Sequence, residues 1–482
     1  MPFAKTLRTL RLIDLTHNML PEKFIKRLHS QEYINHEALQ KALKEPSPVS
    51  IRINPAKWKF NPVNGEPVPW CNHGYYLESR PSYTLDPLFH TGCYYPQEAS
   101  GMFIEQVFRQ TAYNKDYIRA LDLCGAPGGK STHLASMIGH KGLLVANEVI
   151  RPRARILEEN LTKWGLSNCI VTQNDPSVFR HLPGFFDLIL LDAPCSGEGM
   201  FRDGVAIQEW SEENTSHCAE RQKRIIMDVW PSLKENGIMI YSTCTFNPGE
   251  NERNIKWLAG KHEAETVRLD ISDYKGITEI DFEGIYGYGF FPGMIRGEGL
   301  FISALRKTAK ETGTWQGNKG GSERKVSREE RIKTYEWTSF PEESLFRYGD
   351  GIVSAAGSFS DNCYIAKYLN VIKSGTKVLK VKAKNFIPAH ELAMSVFFKN
   401  ESFPAVKASH DKALHYLCRE NIPVEGAEKG WNTVSFNGVI LGFLNNIGNR
   451  VNNYYPADWR IRMNLSNIST DKIIKWENDE VK

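Results

Sequence analysis

Two cysteines stand where apolar runs break into polar turns: Cys195 in "LILLDAPCSGEGMF" and Cys244 in "IMIYSTCTFNPGENE". In an open α/β sheet the carboxyl ends of the strands line the ligand crevice, so both thiols are expected to converge there with Asp192. A cysteine at a strand end is more often a small buried hydrophobe, but here Gly, Pro and polar turn residues follow each one and place it at a mouth. No CxxC pair and no His pair of ligand spacing flanks either thiol, so no metal is expected at them. Two thiols and a carboxyl group suit one demanding reaction. Ring carbon 5 of a pyrimidine becomes nucleophilic enough to take a methyl group once a thiolate has added to carbon 6. A carboxyl group facing ring nitrogen 3 would support that adduct, and a base must then remove the carbon 5 proton so that the thiolate can leave. By residue type alone, either cysteine could attack.

Upstream, "YIRALDLCGAPGGKSTHLASMIG" reads as a strand, a glycine-rich turn and a helix opened by Ser131 and Thr132. Glycines let a ligand approach the backbone, and a helix N-terminus offers it free N–H groups. A phosphate-binding GxxxxGK[ST] loop would need glycine where Cys124 stands, and GxGxxG does not fit either. A third option is S-adenosylmethionine, whose methionine part would lie on the turn formed by Cys124, Gly125, Ala126, Pro127, Gly128, Gly129 and Lys130. Glu148 ends the next strand in "LLVANEV", 23 residues after Gly125, where a carboxylate that grips ribose hydroxyls belongs. Asp175, after the third strand in "VTQND", is placed to accept from the adenine amino group. Each acid could merely cap a helix, but acids at two successive strand ends favour a ligand. Lys130 beside the cofactor would lower a thiolate pKa or orient Asp192, which borders both cofactor and base.

These residues need a scaffold. Apolar runs at Ile118–Leu123, Leu143–Asn147, Cys169–Gln173, Phe186–Leu191 and Ile238–Tyr241 alternate with helix-length amphipathic segments, which predicts βαβ units and a doubly wound, Rossmann-like parallel sheet over residues 94–307. Residues 1–93 read as a small α+β lead-in: "PEKFIKRLH" and "HEALQKALK" helical, "VSIRIN" a strand. Residues 308–335 lose the apolar signal and read as a flexible basic linker. Residues 336–482 read as a mostly β region, with strand alternation in "TKVLKVKAKNFIP", a helix in "AHELAMSVFF" and two strands around Asn437-Gly438.

The blocks "YYPQEASGMF", "LDLCGAPGGKSTHLA", "LDAPCSGEGMF", "YSTCTFNPGENE" and "GEGLFISALRK" together resemble the signature of the Nol/Nop/Sun family of S-adenosylmethionine-dependent RNA cytosine-5 methyltransferases, over about Tyr94 to Lys307. "SIRINP" and "GNRVNNYYPADWRI" further resemble the bacterial RsmF branch, which modifies 16S ribosomal RNA and carries a C-terminal PUA-like RNA-binding module. The resemblance implies that Cys244 is the nucleophile, that Cys195 assists release, that Asp192 contacts the target base, and that Cys124 through Lys130, Glu148 and Asp175 bind the cofactor. Where the family commonly has Cys-Ala-Ala, this chain has Cys124-Gly125-Ala126, a change a tight turn tolerates.

Composition bounds the partners. The 482 residues are 41% hydrophobic and 24% charged, which excludes a disordered or fibrous chain and fits about three domains. Sixty basic against 56 acidic residues permit a polyanion without demanding one. Nine of those basic residues, against four acidic, fall between Arg306 and Lys333, so the excess is local. No apolar run reaches the roughly 18 residues of a membrane span, and "MPFAKTLRTLRLIDLTHNMLPEKF" lacks the core of a signal peptide, so an unexported cytoplasmic protein is expected. Nine cysteines without a CxxC pair argue for reduced thiols. RNA is the expected partner, ribosomal before transfer RNA, with a monomer the family-based expectation. Arg52 and Asn54 are candidate RNA contacts near the site, and Arg450, Tyr454, Tyr455, Trp459 and Arg460 interleave basic and aromatic side chains as stacking surfaces do. About half of these aromatics are expected to build core instead.

Overall fold

The computed structural model describes residues 20–112, 116–140, 142–310, 326–348, 351–354, 356–383, 385–420, 426–465 and 472–477. Residues 1–19, read above for export signals, and 311–325 of the expected linker lie outside the described residues.

Five parallel strands carry the cleft: β1 (Arg119–Asp122), β2 (Leu143–Asn147), β3 (Cys169–Thr172), β4 (Phe186–Asp192) and β5 (Leu233–Thr243), in the spatial order β3-β2-β1-β4-β5. They read as unbroken apolar runs because both faces are covered. Along β4, Leu188 and Leu190 enter one core, and Ile189 and Leu191 enter the other. Strand order reverses between β1 and β4, and that switch point opens the crevice at their carboxyl ends. Three antiparallel strands, β6 (Thr278–Phe282), β7 (Ile285–Phe290) and β8 (Leu300–Lys307), extend the sheet past β5. At the other edge Val371–Ser374, from the C-terminal region, pairs antiparallel with β3.

The lead-in folds as helices Glu22–Leu28 and His36–Ala42 followed by a four-stranded sheet ordered Glu66–Pro67, Gly74–Leu77, Val49–Ile53, Tyr94–Pro96, whose last strand carries the lead-in past the boundary expected at residue 93. Here the expectation for Arg52 and Asn54 is corrected. Arg52 is 2% exposed: Nε donates to Gln97 Oε1 at 2.8 Å, and its terminal nitrogen donates to Thr132 Oγ1 at 2.7 Å and the Gly129 carbonyl at 3.2 Å. The guanidinium also lies 4.3 Å from the Trp164 ring. Asn54 is buried and donates to the carbonyls of Gly92 and Trp164. The Arg52 and Asn54 face of the strand packs on the catalytic domain and the Ile51 and Ile53 face enters an apolar cluster with Trp58 and Trp476, so neither face is left for RNA. These residues bracket the two domains together.

Helix Arg328–Trp337 begins inside the stretch read as linker, opened by a capping box in which Ser327 and Glu330 satisfy each other's backbone N–H groups. The Ser-x-x-Glu spacing was present in the sequence, hidden by the polar composition around it. Beyond it stand two four-stranded sheets, one from Leu345–Tyr348 to Asn385–Pro388, the other from Ala405–Lys407 to Val451–Asn453. The "AHELAMSVFF" helix is short, His390–Met394. Asn437 and Gly438, both at positive φ, join Gly430–Phe436 to Val439–Asn446 in a tight hairpin. Tyr455 is core, whereas Tyr454, Arg450 and Arg460 are exposed. Trp459 is half-buried against His390.

Candidate active site

The glycine-rich turn links β1 to helix Gly129–Ile138 as bare backbone. Gly128 sits at φ +123°, and a Cβ on Gly125 would meet Ser131 Oγ at 2.7 Å, so side chains are excluded where the chain turns. Helix Arg151–Trp164 holds the turn from outside: Arg153 donates to the Ala126 carbonyl at 2.9 Å and Asn160 to the Pro127 carbonyl at 2.8 Å. Asp122, at the end of β1, accepts from Ser131 Oγ at 2.6 Å through Oδ2, while its buried Oδ1 has no partner among the described residues. Burial pushes its carboxyl group up to about 7, against the Ser131 bond and with the nearby charge of Asp192 adding to the rise.

Four residues singled out in the sequence meet at the ends of β4 and β5. Lys130 Nζ donates to Asp192 Oδ2 at 2.8 Å, and Ser242 Oγ donates to Asp192 Oδ1 at 2.7 Å. Burial disfavours the ammonium, but Asp192 outweighs it and holds Lys130 above its ordinary range, with Cys244 adding to the attraction. The sulfurs of Cys195 and Cys244 lie 2.7 Å apart, and the Cys244 backbone N–H points at Cys195 Sγ at 3.2 Å. The bond to Cys244, burial, and the charges of Cys244 and Glu250 push the Cys195 thiol well up, so it rests protonated. None of the nine cysteines is in a disulfide. Cys124 is pushed up by burial and is no nucleophile at neutral pH.

Glu148 and Asp175 stand at the ends of β2 and β3, each already bound locally. Glu148 Oε1 accepts from Ile150 N at 2.9 Å, and Oε2 lies 3.4 Å from Arg153. Asp175 Oδ1 accepts from the backbone and hydroxyl of Ser177, which draws its carboxyl group below the ordinary range. Sequence reasoning missed Ser242, and it missed two buried carboxylates behind the thiols, Glu198 and Glu250. Glu198 takes Arg27 at 2.6 Å from the lead-in, Trp210 Nε1 at 2.8 Å and Phe246 N at 3.2 Å. The signal available was an acid three or six residues past each thiol, in turns too polar to need a charge.

Among the described residues one further group of ligand-type side chains lies outside this cleft: Cys71, Glu105 and His133. Glu105 is bridged by Arg109 at 2.8 Å and bonded to His133 at 3.1 Å, so its charge is already matched. Burial lowers His133 to about 4, leaving it neutral.

The doubly wound sheet with a cleft at its switch point belongs to the Rossmann-type methyltransferases. Two solved structures share the fold: PH0851 (TM-score 0.55, 22% identity, 61% of this chain and 67% of that one) and NSun6 from Pyrococcus horikoshii solved with SFG (TM-score 0.50, 21% identity, 60% and 97%). Residues 111–306 match the family model of the 16S rRNA methyltransferase RsmB/F, 20–99 that of the RsmF N-terminal domain, and 403–461 that of the RsmF PUA domain. Ribosomal RNA small subunit methyltransferase F of Shewanella piezotolerans is 28% identical over 96% of this chain and 97% of its own length. The Pectobacterium carotovorum protein of the same name is 38% identical over 53% of each chain. The chain belongs to the RsmB/F methyltransferase family. Among the described residues no helix is long and apolar enough to cross a membrane.

Proposed function

We propose that the protein methylates carbon 5 of a cytidine in 16S ribosomal RNA, using S-adenosylmethionine and a covalent Cys244 adduct. The observation that carries this is the pair of sulfurs 2.7 Å apart beside the Lys130–Asp192 ion pair. S-adenosylmethionine supplies an electrophilic methyl group. The glycine-rich turn from Cys124 to Lys130 suits such a ligand, as does the unpartnered buried oxygen of Asp122 at its entrance, with Glu148 and Asp175 on the ribose and adenine side.

Cys244 adds to ring carbon 6, and the Lys130–Asp192 pair passes a proton to ring nitrogen 3 that neutralises the charge displaced onto the ring. Carbon 5, now nucleophilic, takes the methyl group. Once Cys244 is bonded to carbon 6 it no longer holds the proton on Cys195; Cys195 gives that proton to solvent and takes the one from carbon 5, the bond from sulfur to carbon 6 breaks, and Cys244 is restored. Lys130 keeps Asp192 aimed. Ribosomal RNA is the substrate on the strength of relatives that carry that name over their full length. The exposed Arg450, Tyr454 and Arg460 of the PUA region suit backbone and stacking contacts with RNA.

Cys195→Ala is expected to accumulate a protein–RNA adduct, visible as a slowed band on a denaturing gel, and Cys244→Ala to give none. The reverse pattern would overturn the assignment of the two thiols. Bisulfite sequencing of RNA from a deletion strain should lose one protected cytosine in 16S ribosomal RNA; loss in transfer RNA instead would reject the substrate.

A further inference from the structure

Glu250 lies in "NPGENE", six residues past Cys244, and the chemistry proposed above gives it no part. Its side chain is fully buried and cannot touch a substrate. Four donors surround its two oxygens. Ser196 N (3.0 Å) and Gln222 Nε2 (3.0 Å) bind Oε2; Ser196 Oγ (2.5 Å) and, at longer range, Thr245 Oγ1 (3.3 Å) bind Oε1. Gln222 spends its second N–H on the Pro194 carbonyl at 3.0 Å, and its own oxygen is held by Tyr241 and Asn254. The carboxylate therefore grips the residue after Cys195 directly, twice, and the residue before it through Gln222.

The Cys244 loop is held by a different side chain. Asn251 accepts from Thr243 Oγ1 at 2.6 Å and donates to the Thr245 carbonyl at 2.9 Å, on either side of Cys244. Adjacent residues of one turn thus divide the loops unequally: Glu250 bears on the Cys195 loop with its short bonds and reaches the Cys244 loop only through Thr245 Oγ1 at 3.3 Å, while Asn251 holds the Cys244 loop alone. Among the described residues Glu250 has no cation partner, in contrast to Asp192 with Lys130 and Glu198 with Arg27. A buried carboxylate without a counter-ion is costly, and four hydrogen bonds offset that cost where they are needed to fix geometry.

We propose that Glu250 is a positioning residue for Cys195, which it holds against Cys244 for the release step. The proposal rests on the division of labour between the thiols given above. Because Glu250 acts on the Cys195 loop and Asn251 keeps the Cys244 loop, losing Glu250 should leave attack possible and impair release. A misplacement of ~1 Å at a reacting group costs on the order of 10²-fold in rate.

The test compares Glu250→Ala with Cys195→Ala on the denaturing gel, with turnover measured alongside. Glu250→Ala should accumulate the same slowed band, lose on the order of 10²-fold in kcat, keep its KM for S-adenosylmethionine within about twofold, since the glycine-rich turn is untouched, and show no band when combined with Cys244→Ala. Glu250→Gln keeps one oxygen that accepts from both Ser196 N and Gln222 and reverses the bond to Ser196 Oγ, which can accept from the new amide, so it should restore release. A folded Glu250→Ala that turns over normally without adduct, or one that binds cofactor yet forms no adduct, overturns the proposal while leaving the thiol assignment standing. Absence of adduct in Cys195→Ala overturns that assignment and this proposal with it. Should Glu250→Ala fail to fold, Ser196→Ala cuts the 2.5 Å link together with the 2.9 Å contact to Thr245 Oγ1 and keeps the backbone bond; adduct above the wild-type level supports the proposal, and wild-type behaviour refutes it.

Discussion

Asp192 divides its two oxygens between a cation and a hydroxyl, Lys130 and Ser242, so its plane is set before any base arrives. Such preorganisation costs nothing at the moment of reaction. Asp122, one strand away, behaves differently because burial and the charge of Asp192 outweigh the pull of Lys130. Its carboxyl group is pushed up by burial to about 7. An acid whose pKa rises on folding stabilises the folded state while it is protonated; the contribution is complete below the ordinary carboxyl value of about 3.9 and is lost as pH rises through the folded value. The protein should therefore lose stability on this account between about pH 4 and about 7. Asp122→Asn, which keeps an acceptor for Ser131, should gain in Tm relative to wild type as pH rises through that window. Thermal melts of both proteins across it measure this, and a gap that narrows with pH would refute it. None of this was legible in the sequence, where Asp122 is one more strand-end acid.

At the scale of elements, strand ends were legible and their bracing was not. Runs ending at Asp192 and near Cys244 announced the mouth because a strand buried on both faces must be apolar until it leaves the sheet. Arg52 could be read only as a polar residue within a strand, and an alternating pattern would have turned it outward. Tertiary packing turned it inward, onto the first turn of helix Gly129–Ile138. Arg52→Ala should cost on the order of 3 kcal/mol, as expected for removing a buried hydrogen-bonded cation, and should weaken S-adenosylmethionine binding. Arg52→Lys should not rescue it, because a single ammonium cannot span Gln97 and Thr132. Calorimetric titration with the cofactor, together with thermal melts, checks both. An Arg52→Ala protein that binds cofactor normally and has lost only RNA would restore the RNA-contact reading. The antiparallel strands β6 and β7 also escaped the sequence pattern: "IYGYGF" carries two glycines, filled by Phe301 from the neighbouring strand β8 and by Phe291 just past the end of β7 itself, so its apolar content understates its burial.

Over the whole molecule, the chain closes on itself. Trp476 is 1% exposed and packs against Trp58 and Tyr94 of the lead-in, with ring centroids 5.5 Å apart in each case. Val371–Ser374 meanwhile completes an edge of the catalytic sheet. The C-terminal region thus touches both other parts, and separate modules joined by a loose strap would not behave alike. Trp476→Ala should cost about 3–5 kcal/mol and lower Tm, with the lead-in losing amide-exchange protection first. Protection lost only in the C-terminal sheets would show that the closure carries no stability.

What the sequence determined by itself was chemical and local. Residue types at strand ends, glycines where a backbone must lie bare, and the alternation of apolar runs are consequences of short-range sterics and burial, and they survive in one dimension. The tertiary structure decided which charges are matched and which polar residues face inward. Partners such as Glu250 and Ser196, Arg52 and Thr132, or Trp476 and Trp58 lie tens to hundreds of residues apart. Electrostatics and packing act through space, so no spacing along the chain encodes those pairings.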